Sequence, residues 1–338
     1  MTETDLTKSH HYKLERYGIM QCDRLIKTPD DILKCFYDQI TLEPKTTPFP
    51  FGTFADYLKN VLLSNSYKLT LLFDWGTIDC TSLIFDKSNI GASFDKAAID
   101  FLPRMLYRFS EQIHNRLCPY PLMESEVAYS HFALWPLLQN AVITVPGLTC
   151  DFKVGKTLLK ALDYQGAPNY NADGVVLMKE IDLGLLILET SGAYGTMNCH
   201  RHVFDHIKGA FGCYAMIVSI LTKYKEANAN LLEDISVNFI HTSAKERVVT
   251  YKLTLDSQDS AGIRDAIEFF WLVKDILMKS QRAVTSLMKS NNENSFDFEL
   301  VTNSRTPLPT LLKPTLIKPN KGAVCDGIVD SDPISFTL

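Results

Sequence analysis

Two carboxylates, sixteen residues apart, are the side chains in this sequence whose setting best suits chemistry. Asp173 stands at the start of a predicted buried strand, and Glu189 stands near the end of the strand predicted to pair with it. Carboxylates that meet at the edge of a buried sheet are unfavourable unless a positive charge lies between them, and a hard divalent cation is the usual solution. The sequence therefore predicts a site for a hard divalent cation, formed by Asp173, Glu189 and the backbone carbonyl of Thr190.

The position of these carboxylates depends on a predicted pair of strands. GVVLMKEI (174–181) and LLILETS (185–191) are rich in branched apolar residues and are separated by a short turn. The uninterrupted LLIL predicts a strand that is buried on both faces, near the middle of a sheet. The two-residue period of a strand places Glu189 and Ser191 on one face and Thr190 on the other.

Helices are predicted on both sides of this strand pair. Residues 123–142 have the spacing of an amphipathic helix, in which Pro136 is expected to cause a kink. Its predicted packing stripe comprises Val127, His131, Leu134 and Leu138. The elements that follow are a helix, a hairpin and a final helix, over residues 203–224, 235–239 with 247–255, and 263–289. This order predicts an α/β fold of mixed α+β type, with a central mixed sheet flanked by helices.

Composition divides the chain into three parts. Residues 1–118 show helical patterns and are predicted to be mainly helical, and residues 119–290 hold the predicted α/β core. Residues 291–338 open with polar side chains and continue with closely spaced prolines, so they are predicted to be a polar, Pro-rich flexible tail. Because extended Pro-rich segments also bind other proteins, the tail is alternatively a docking site for a protein partner.

The stretch NADGVVLMKEIDLGLLILETS resembles the core of the PD-(D/E)XK nuclease superfamily, in which an acid, a hairpin and an acid-x-lysine follow one another. The resemblance implies a restriction-endonuclease-like core that cleaves phosphodiester bonds of nucleic acid with Mg²⁺. It implies a further acid on the preceding helix, here Glu126 or Glu124, and a polar residue on the following helix, here Lys208 or His206. More narrowly, ESEVAYSHFALWPLL, LLILETSG and DHIKGAFG are similar to a group of uncharacterised fungal proteins.

The chain departs from the superfamily pattern at two positions. Ser191 stands where the pattern has lysine, and Ala172 stands where it has proline. That lysine would orient the attacking water and stabilise charge on the phosphate, which serine cannot do. Lys208, about one to two turns into the following helix, can lean back toward the sheet edge and replace it. The predicted catalytic set is therefore Asp173, Glu189, Lys208 and Glu126, and the alternative is a non-catalytic module that binds nucleic acid or protein.

Each candidate also has a purely structural interpretation. Asp173 precedes a glycine, as in turns that begin a strand. Glu189, buried after LLIL, can be neutralised by a salt bridge to Arg201 or Lys208. Glu126 is an acid in the first turn of a helix, where the helix dipole favours it.

The segment NCHRHVFDH contains four possible zinc ligands, which are Cys199, His200, His202 and His206. It has no second paired motif, so a phosphate-contacting patch is favoured over a zinc site, and the alternative is a helix start whose polar residues simply face water. The patch would comprise Arg201, Lys208, Lys223 and Lys225. Ser191 with His200 or His206 as base would suit acyl transfer, but the G-x-S-x-G turn of such enzymes is missing.

Overall composition limits the class of protein. With 338 residues, 46% hydrophobic residues and a net charge of −5, the chain is globular rather than disordered, collagen-like or coiled-coil, and its surface is not generally basic. The N-terminus carries charge where a signal peptide is apolar, and no apolar run in the sequence reaches membrane-spanning length. The eight cysteines are scattered. We therefore expect an intracellular protein, cytoplasmic or nuclear, without membrane association, and leave its oligomeric state open.

Overall fold

The computed structural model of the chain describes residues 101–102, 104–105, 108, 122–161, 170–196, 199–242, 260–296 and 307–311. Nearly all of the predicted N-terminal helical region lies outside the described residues, as does the predicted strand over 247–255. Three apolar side chains of the N-terminal region are described and buried, and they join the same core as the helix that begins at Glu126. They are Phe101, Leu102 and Met105.

A four-stranded mixed sheet forms the centre of the fold. Its strands are β1 (Cys150–Leu158), β2 (Asn171–Met178), β3 (Leu183–Thr190) and β4 (Asn238–Thr242), and they lie side by side in that order. The first three pair antiparallel, and β4 pairs parallel to β3. The predicted α/β fold with a mixed sheet between helices is thus confirmed.

Three long helices flank this sheet. Helix α1 covers residues 126–143, α2 is Cys199–Lys223 and α3 is Ser260–Phe296. Helix α2 crosses over between the parallel strands and packs on β3 and β4, while α1 and α3 pack on each other and contact β1 and β3. The side chain of Ser125 accepts a hydrogen bond from the backbone N–H of Ala128 and so caps the start of α1.

The apolar run of β3 is buried on both faces, as its sequence predicts. Leu185, Leu186, Ile187 and Leu188 are each at most 1% exposed. Leu186 and Leu188 belong to the core shared with α1 and α3, and Ile187 belongs to the core shared with α2. With β2 and β4 as neighbours, β3 lies in the interior of the sheet.

A π-helical turn at Ser130–Leu134 changes the packing face of α1. The backbone N–H of Trp135 bonds to the carbonyl of Ser130, five residues back, and this wide turn accommodates Pro136 just after it. The predicted stripe is wrong for Val127, which is 68% exposed, and for His131, which is also exposed. The extra residue in the π turn shifts the helical register. The buried residues from the turn onward include Ala133, Leu134, Leu137, Leu138 and Ala141.

Strand β4 corrects the predicted second hairpin. The prediction placed a strand at 235–239, whereas the strand is Asn238–Thr242 and its described partner is β3, in parallel. A parallel partner reached through a helix leaves no turn signal in the local sequence. Gly209 of α2 allows the close approach that this pairing needs, since a Cβ there would lie 2.1 Å from Cζ of Phe239 on β4.

Part of α2 is long and apolar enough, by length and composition, to cross a membrane. This stretch is Phe204–Lys223, and about half of its most apolar window, 56%, is buried inside the fold. Core helices of globular domains share these properties, and here the apolar residues of α2 pack against β3 and β4.

Helix α3 continues beyond the predicted boundary at residue 290 and ends at Phe296. Its polar end is used for hydrogen bonding: the Asn291 side chain accepts from the backbone N–H of Glu226, and the Asn294 amide donates to the carbonyl of Glu226. Farther on, Leu308 is 1% exposed, and its N–H donates to the carbonyl of Lys225. These contacts hold residues of the predicted tail against the core.

Candidate active site

A cleft of about 590 Å³ opens where α1, β2, β3 and α2 come together. Its lining includes all four side chains predicted to be catalytic, which are Glu126, Asp173, Glu189 and Lys208. Each of them comes from a different element, so the cleft exists only in the folded chain. Thr190, whose backbone carbonyl is the predicted further ligand, is fully buried and does not line the cleft, and its hydroxyl accepts from Ser130 Oγ of α1 at 3.2 Å.

Glu189 is the most buried carboxylate at the cleft, with 1% of its surface exposed. The Tyr170 hydroxyl donates to Oε1 at 2.9 Å, and the Lys208 ammonium donates to Oε2 at 2.7 Å. Burial raises the pKa of Glu189 to about 8, although the charge of Lys208 lowers it, and the charge of Asp173 raises it further. The salt bridge to Lys208 is one of the two that the sequence suggested for this carboxylate.

Tyr170 supports both members of this ion pair. It is 2% exposed, and its ring centroid lies 4.8 Å from the Lys208 ammonium. Burial and the neighbouring charge of Glu189 raise the pKa of Tyr170 well above its ordinary value, so the phenol stays protonated and remains a hydrogen-bond donor. The ammonium of Lys208 is therefore held at the end of β3 by a carboxylate and an aromatic face.

Asp173 connects the two central strands. It is the third residue of β2, so its interpretation as a turn residue is wrong. Its Oδ2 accepts the backbone N–H of Thr190 at 2.9 Å. This bond fixes the carboxylate beside the end of β3 and leaves Oδ1 without a described protein donor.

Arg201 connects the acid of α1 to an acid of α2. Its guanidinium lies 2.6 Å from Glu126 Oε2 and 3.4 Å from Asp205 Oδ2. Burial raises the pKa of Glu126 and of Asp205, and the charge of Arg201 opposes both shifts. The sequence suggested Arg201 or Lys208 as the partner of Glu189, and Arg201 instead pairs with Glu126 and Asp205.

Ser191, at the position where the superfamily pattern has lysine, lies behind the cleft. It is 2% exposed, and its Oγ donates to Asp205 Oδ2 at 2.9 Å and lies 2.6 Å from His241 Nε2. Glu189 and Ser191 thus both face α2, as the two-residue period predicts. Of the described side chains, the imidazole beside Ser191 is that of His241 rather than that of His206, and this buried serine does not line the cleft.

Three imidazole rings lie close together around His241, which contacts this serine. The ring of His241 lies 4.0 Å from that of His202, nearly parallel, and 5.8 Å from that of His206. Burial, and then the nearby imidazoles and Lys208, lower the pKa of His241 to about 2, so its ring is neutral. Within the part of the chain that the structure describes, no three His, Cys, Asp or Glu side chains form a group that could hold a metal ion. The side chains of Cys199 and His200 lie outside that part.

The oxygen donors at the cleft suit Mg²⁺ better than zinc. Mg²⁺ commonly binds through one or two carboxylates and completes its shell with water and substrate phosphate, so it does not require three protein ligands. Asp173 offers an oxygen that Thr190 does not use, and each oxygen of Glu189 has a second lone pair beyond its present hydrogen bond. These two carboxylates therefore fit a site for a hard cation.

Tyr170, Asp205 and His241 belong to the site but were not among the residues predicted for it. Asp205 had a detectable signal, because Arg201, Asp205 and Lys208 follow the spacing of one helix face.

No family model matches the chain, and none of the curated proteins or solved structures compared with it matches either.

Proposed function

We propose that the chain is a divergent, metal-dependent nuclease domain of PD-(D/E)XK type that acts on phosphodiester bonds of nucleic acid. The observation that carries the proposal is the convergence of Glu126, Asp173, Glu189 and Lys208 on one cleft from four different elements. A helix with an acid, two paired strands with an acid each, and a helix with a polar residue follow one another as the sequence resemblance implies. The parallel strand β4 then completes the sheet.

Asp173 and Glu189 are the residues that would hold Mg²⁺. When bound, Mg²⁺ supplies a Lewis acid that makes a water molecule more acidic and polarises a phosphoryl oxygen. Burial raises the pKa of Glu189 to about 8, and a bound cation favours the ionised carboxylate, so cation affinity would rise with pH. Thr190 is fully buried and does not line the cleft, so the proposal rests on the two side chains.

Lys208 takes the part of the lysine that Ser191 replaces. Its ammonium lies 2.7 Å from Glu189 Oε2 and retains 16% side-chain exposure, so it borders both the acid and the cleft. A fixed positive charge at this position stabilises negative charge that develops on a phosphate in the cleft. Glu126 lies across the cleft, where its pairing with Arg201 orients it.

The test is a cleavage assay with the full chain on labelled DNA and RNA, single- and double-stranded, with Mg²⁺ or Mn²⁺ and with a chelator. We expect metal-dependent cleavage that Asp173→Asn and Glu189→Gln abolish and that Lys208→Gln lowers by about 10²-fold or more. Glu124→Gln is the matched control, because Glu124 is an exposed acid next to the cleft and does not line it. Equal activity in all variants, with unchanged circular dichroism, would overturn the proposal.

A non-catalytic binding module is the second candidate, and one observation favours it. Both oxygens of Glu189 already accept hydrogen bonds within the protein, and Ser191 is tied to Asp205 and His241 behind the cleft. Calorimetry with Mg²⁺ and Mn²⁺ separates the candidates. Oligonucleotide binding without heat of metal binding and without cleavage would support the module and exclude the nuclease.

A further inference from the structure

Strand β1, the outermost of the four described strands on the side of β2, changes register at the cleft. Val154 pairs with Gly174 and Thr157 pairs with Ala172, so two residues of β1, Gly155 and Lys156, stand opposite the single residue between them on β2. That residue is Asp173. Gly155 has a φ of +80°, the left-handed conformation that a glycine adopts at the first position of a β-bulge.

This bulge directs Lys156 into the candidate active site. A regular strand alternates its side chains between the two faces, whereas a bulge re-aims a side chain at the point where it interrupts the ladder. Lys156 is exposed and lines the cleft together with Asp173 and Glu189. Lys153, three residues earlier on the same strand, is also exposed but does not line the cleft, and it pairs with Asp151 at 2.6 Å.

Charge pairing distinguishes Lys156 from the other cations of the cleft. Arg201 is paired with Glu126 and Asp205, and Lys208 is paired with Glu189. Among the described residues, Lys156 has no carboxylate partner within salt-bridge distance. Its charge is therefore available to an anion that enters from solvent.

We infer that Lys156 binds a phosphate group of a nucleic-acid strand in the cleft, next to the phosphate that Asp173 and Glu189 would act on. The inference rests on the proposed function and deepens it by assigning a substrate-binding residue. A lysine that contacts one phosphate strengthens binding by counterion release, largely irrespective of base sequence. The bulge at Gly155 is the feature that positions this charge.

The test is fluorescence anisotropy of a labelled phosphorothioate oligonucleotide, which keeps the phosphate charges and resists cleavage, with the full chain at several salt concentrations. Lys156→Gln is expected to weaken binding about five- to tenfold near 0.1 M salt and to lower the salt slope by about one. Lys153→Gln is the matched control and should change neither. Gly155→Ala keeps every charge but strains the bulge, so it should weaken binding in the same direction.

Several outcomes would overturn the inference. If Lys156→Gln binds as tightly as the wild type, or no more weakly than Lys153→Gln, Lys156 does not contact the strand. If a mononucleotide binds more tightly than the oligonucleotide, the ligand is a free phosphate compound rather than a strand. If the wild-type chain cleaves an oligonucleotide and Lys156→Gln binds and cleaves it equally well, only this inference is refuted. If the wild-type chain neither binds nor cleaves oligonucleotides, the proposed function is refuted as well.

Discussion

Replacing Glu189 by glutamine removes the ionisable group that the cleft buries most deeply while preserving its shape. The amide oxygen of glutamine can accept from Lys208, and its N–H can donate to the Tyr170 oxygen, so both contacts of the carboxylate have a replacement. The substitution therefore reports on the proton of Glu189 more than on packing.

The structure gives the size and sign of the expected effect. The pKa of Glu189 is about 8 in the folded chain, because burial disfavours its charge, and is about 4.3 when the chain is unfolded. Between these values the folded chain keeps a proton that the unfolded chain has lost. The stability that Glu189 confers is thus fully present below about pH 4 and falls by about 1.4 kcal/mol per pH unit up to about pH 8.

Urea unfolding followed by tryptophan fluorescence, from about pH 5 to about pH 7.5, measures this directly. The wild-type free energy of unfolding, minus that of Glu189→Gln, should decrease by about 1.4 kcal/mol per pH unit over this range. Glu124→Gln, at an exposed acid that does not line the cleft, is the matched control for the substitution itself. A Glu189→Gln difference that is constant or increases with pH would refute the assignment of a raised pKa.

Two further predictions concern the elements behind the cleft. The pKa of His241 is about 2 in the folded chain and about 6.5 in the unfolded chain. Below about pH 6.5 the unfolded chain therefore binds a proton at this histidine that the folded chain does not bind. The stability of the wild type relative to His241→Gln should therefore decrease by about 1.4 kcal/mol per pH unit from about pH 6 to about pH 5, and a constant difference would contradict the low pKa. Gly209→Ala should lower the free energy of unfolding by about 1–3 kcal/mol, since its Cβ would collide with the Phe239 ring. Gly184→Ala is the control, because the nearest atom to its Cβ is the terminal methyl of the unbranched Met216 side chain rather than a rigid ring, and an equal loss in both variants would contradict the explanation.

The central strands could be predicted because their sequence is locally consistent. The short apolar run LLIL is bounded by the predicted turn at 182–184, which favours an interior strand, and Asp182 readily takes the left-handed conformation of that turn, with φ of 53°. Strand β1 was not predicted, because most of its residues from 153 to 158 are exposed and the bulge at Gly155 interrupts the alternation of buried and exposed side chains. Edge strands carry the weakest periodic signal.

A site residue could be predicted where the position of its strand or helix in the chain already indicated which other residue it lies near. Asp173 and Glu189 follow from the hairpin, and the position of Lys208 on the following helix allowed it to reach Glu189, as observed. Tyr170 and His241 depend on tertiary contacts that no spacing encodes. Tyr170 lies just before β2 in a polar stretch, and His241 reaches Ser191 only because β4 pairs parallel to β3.

The π turn of α1 takes up one extra residue of chain, and this lets a proline lie inside the helix that carries Glu126. A π turn holds one residue more than an α turn, so deleting one residue within Ser130–Leu134 would allow a regular α-helix. Five residues of a π turn and four of an α turn rotate the chain by nearly the same angle, so Glu126 would keep its direction toward Arg201 and Leu137 would keep its packing. Pro136 would instead meet the carbonyl four residues before it, which kinks or breaks a helix. A deletion of one residue here would therefore destabilise α1 at Pro136 without touching any residue that lines the cleft.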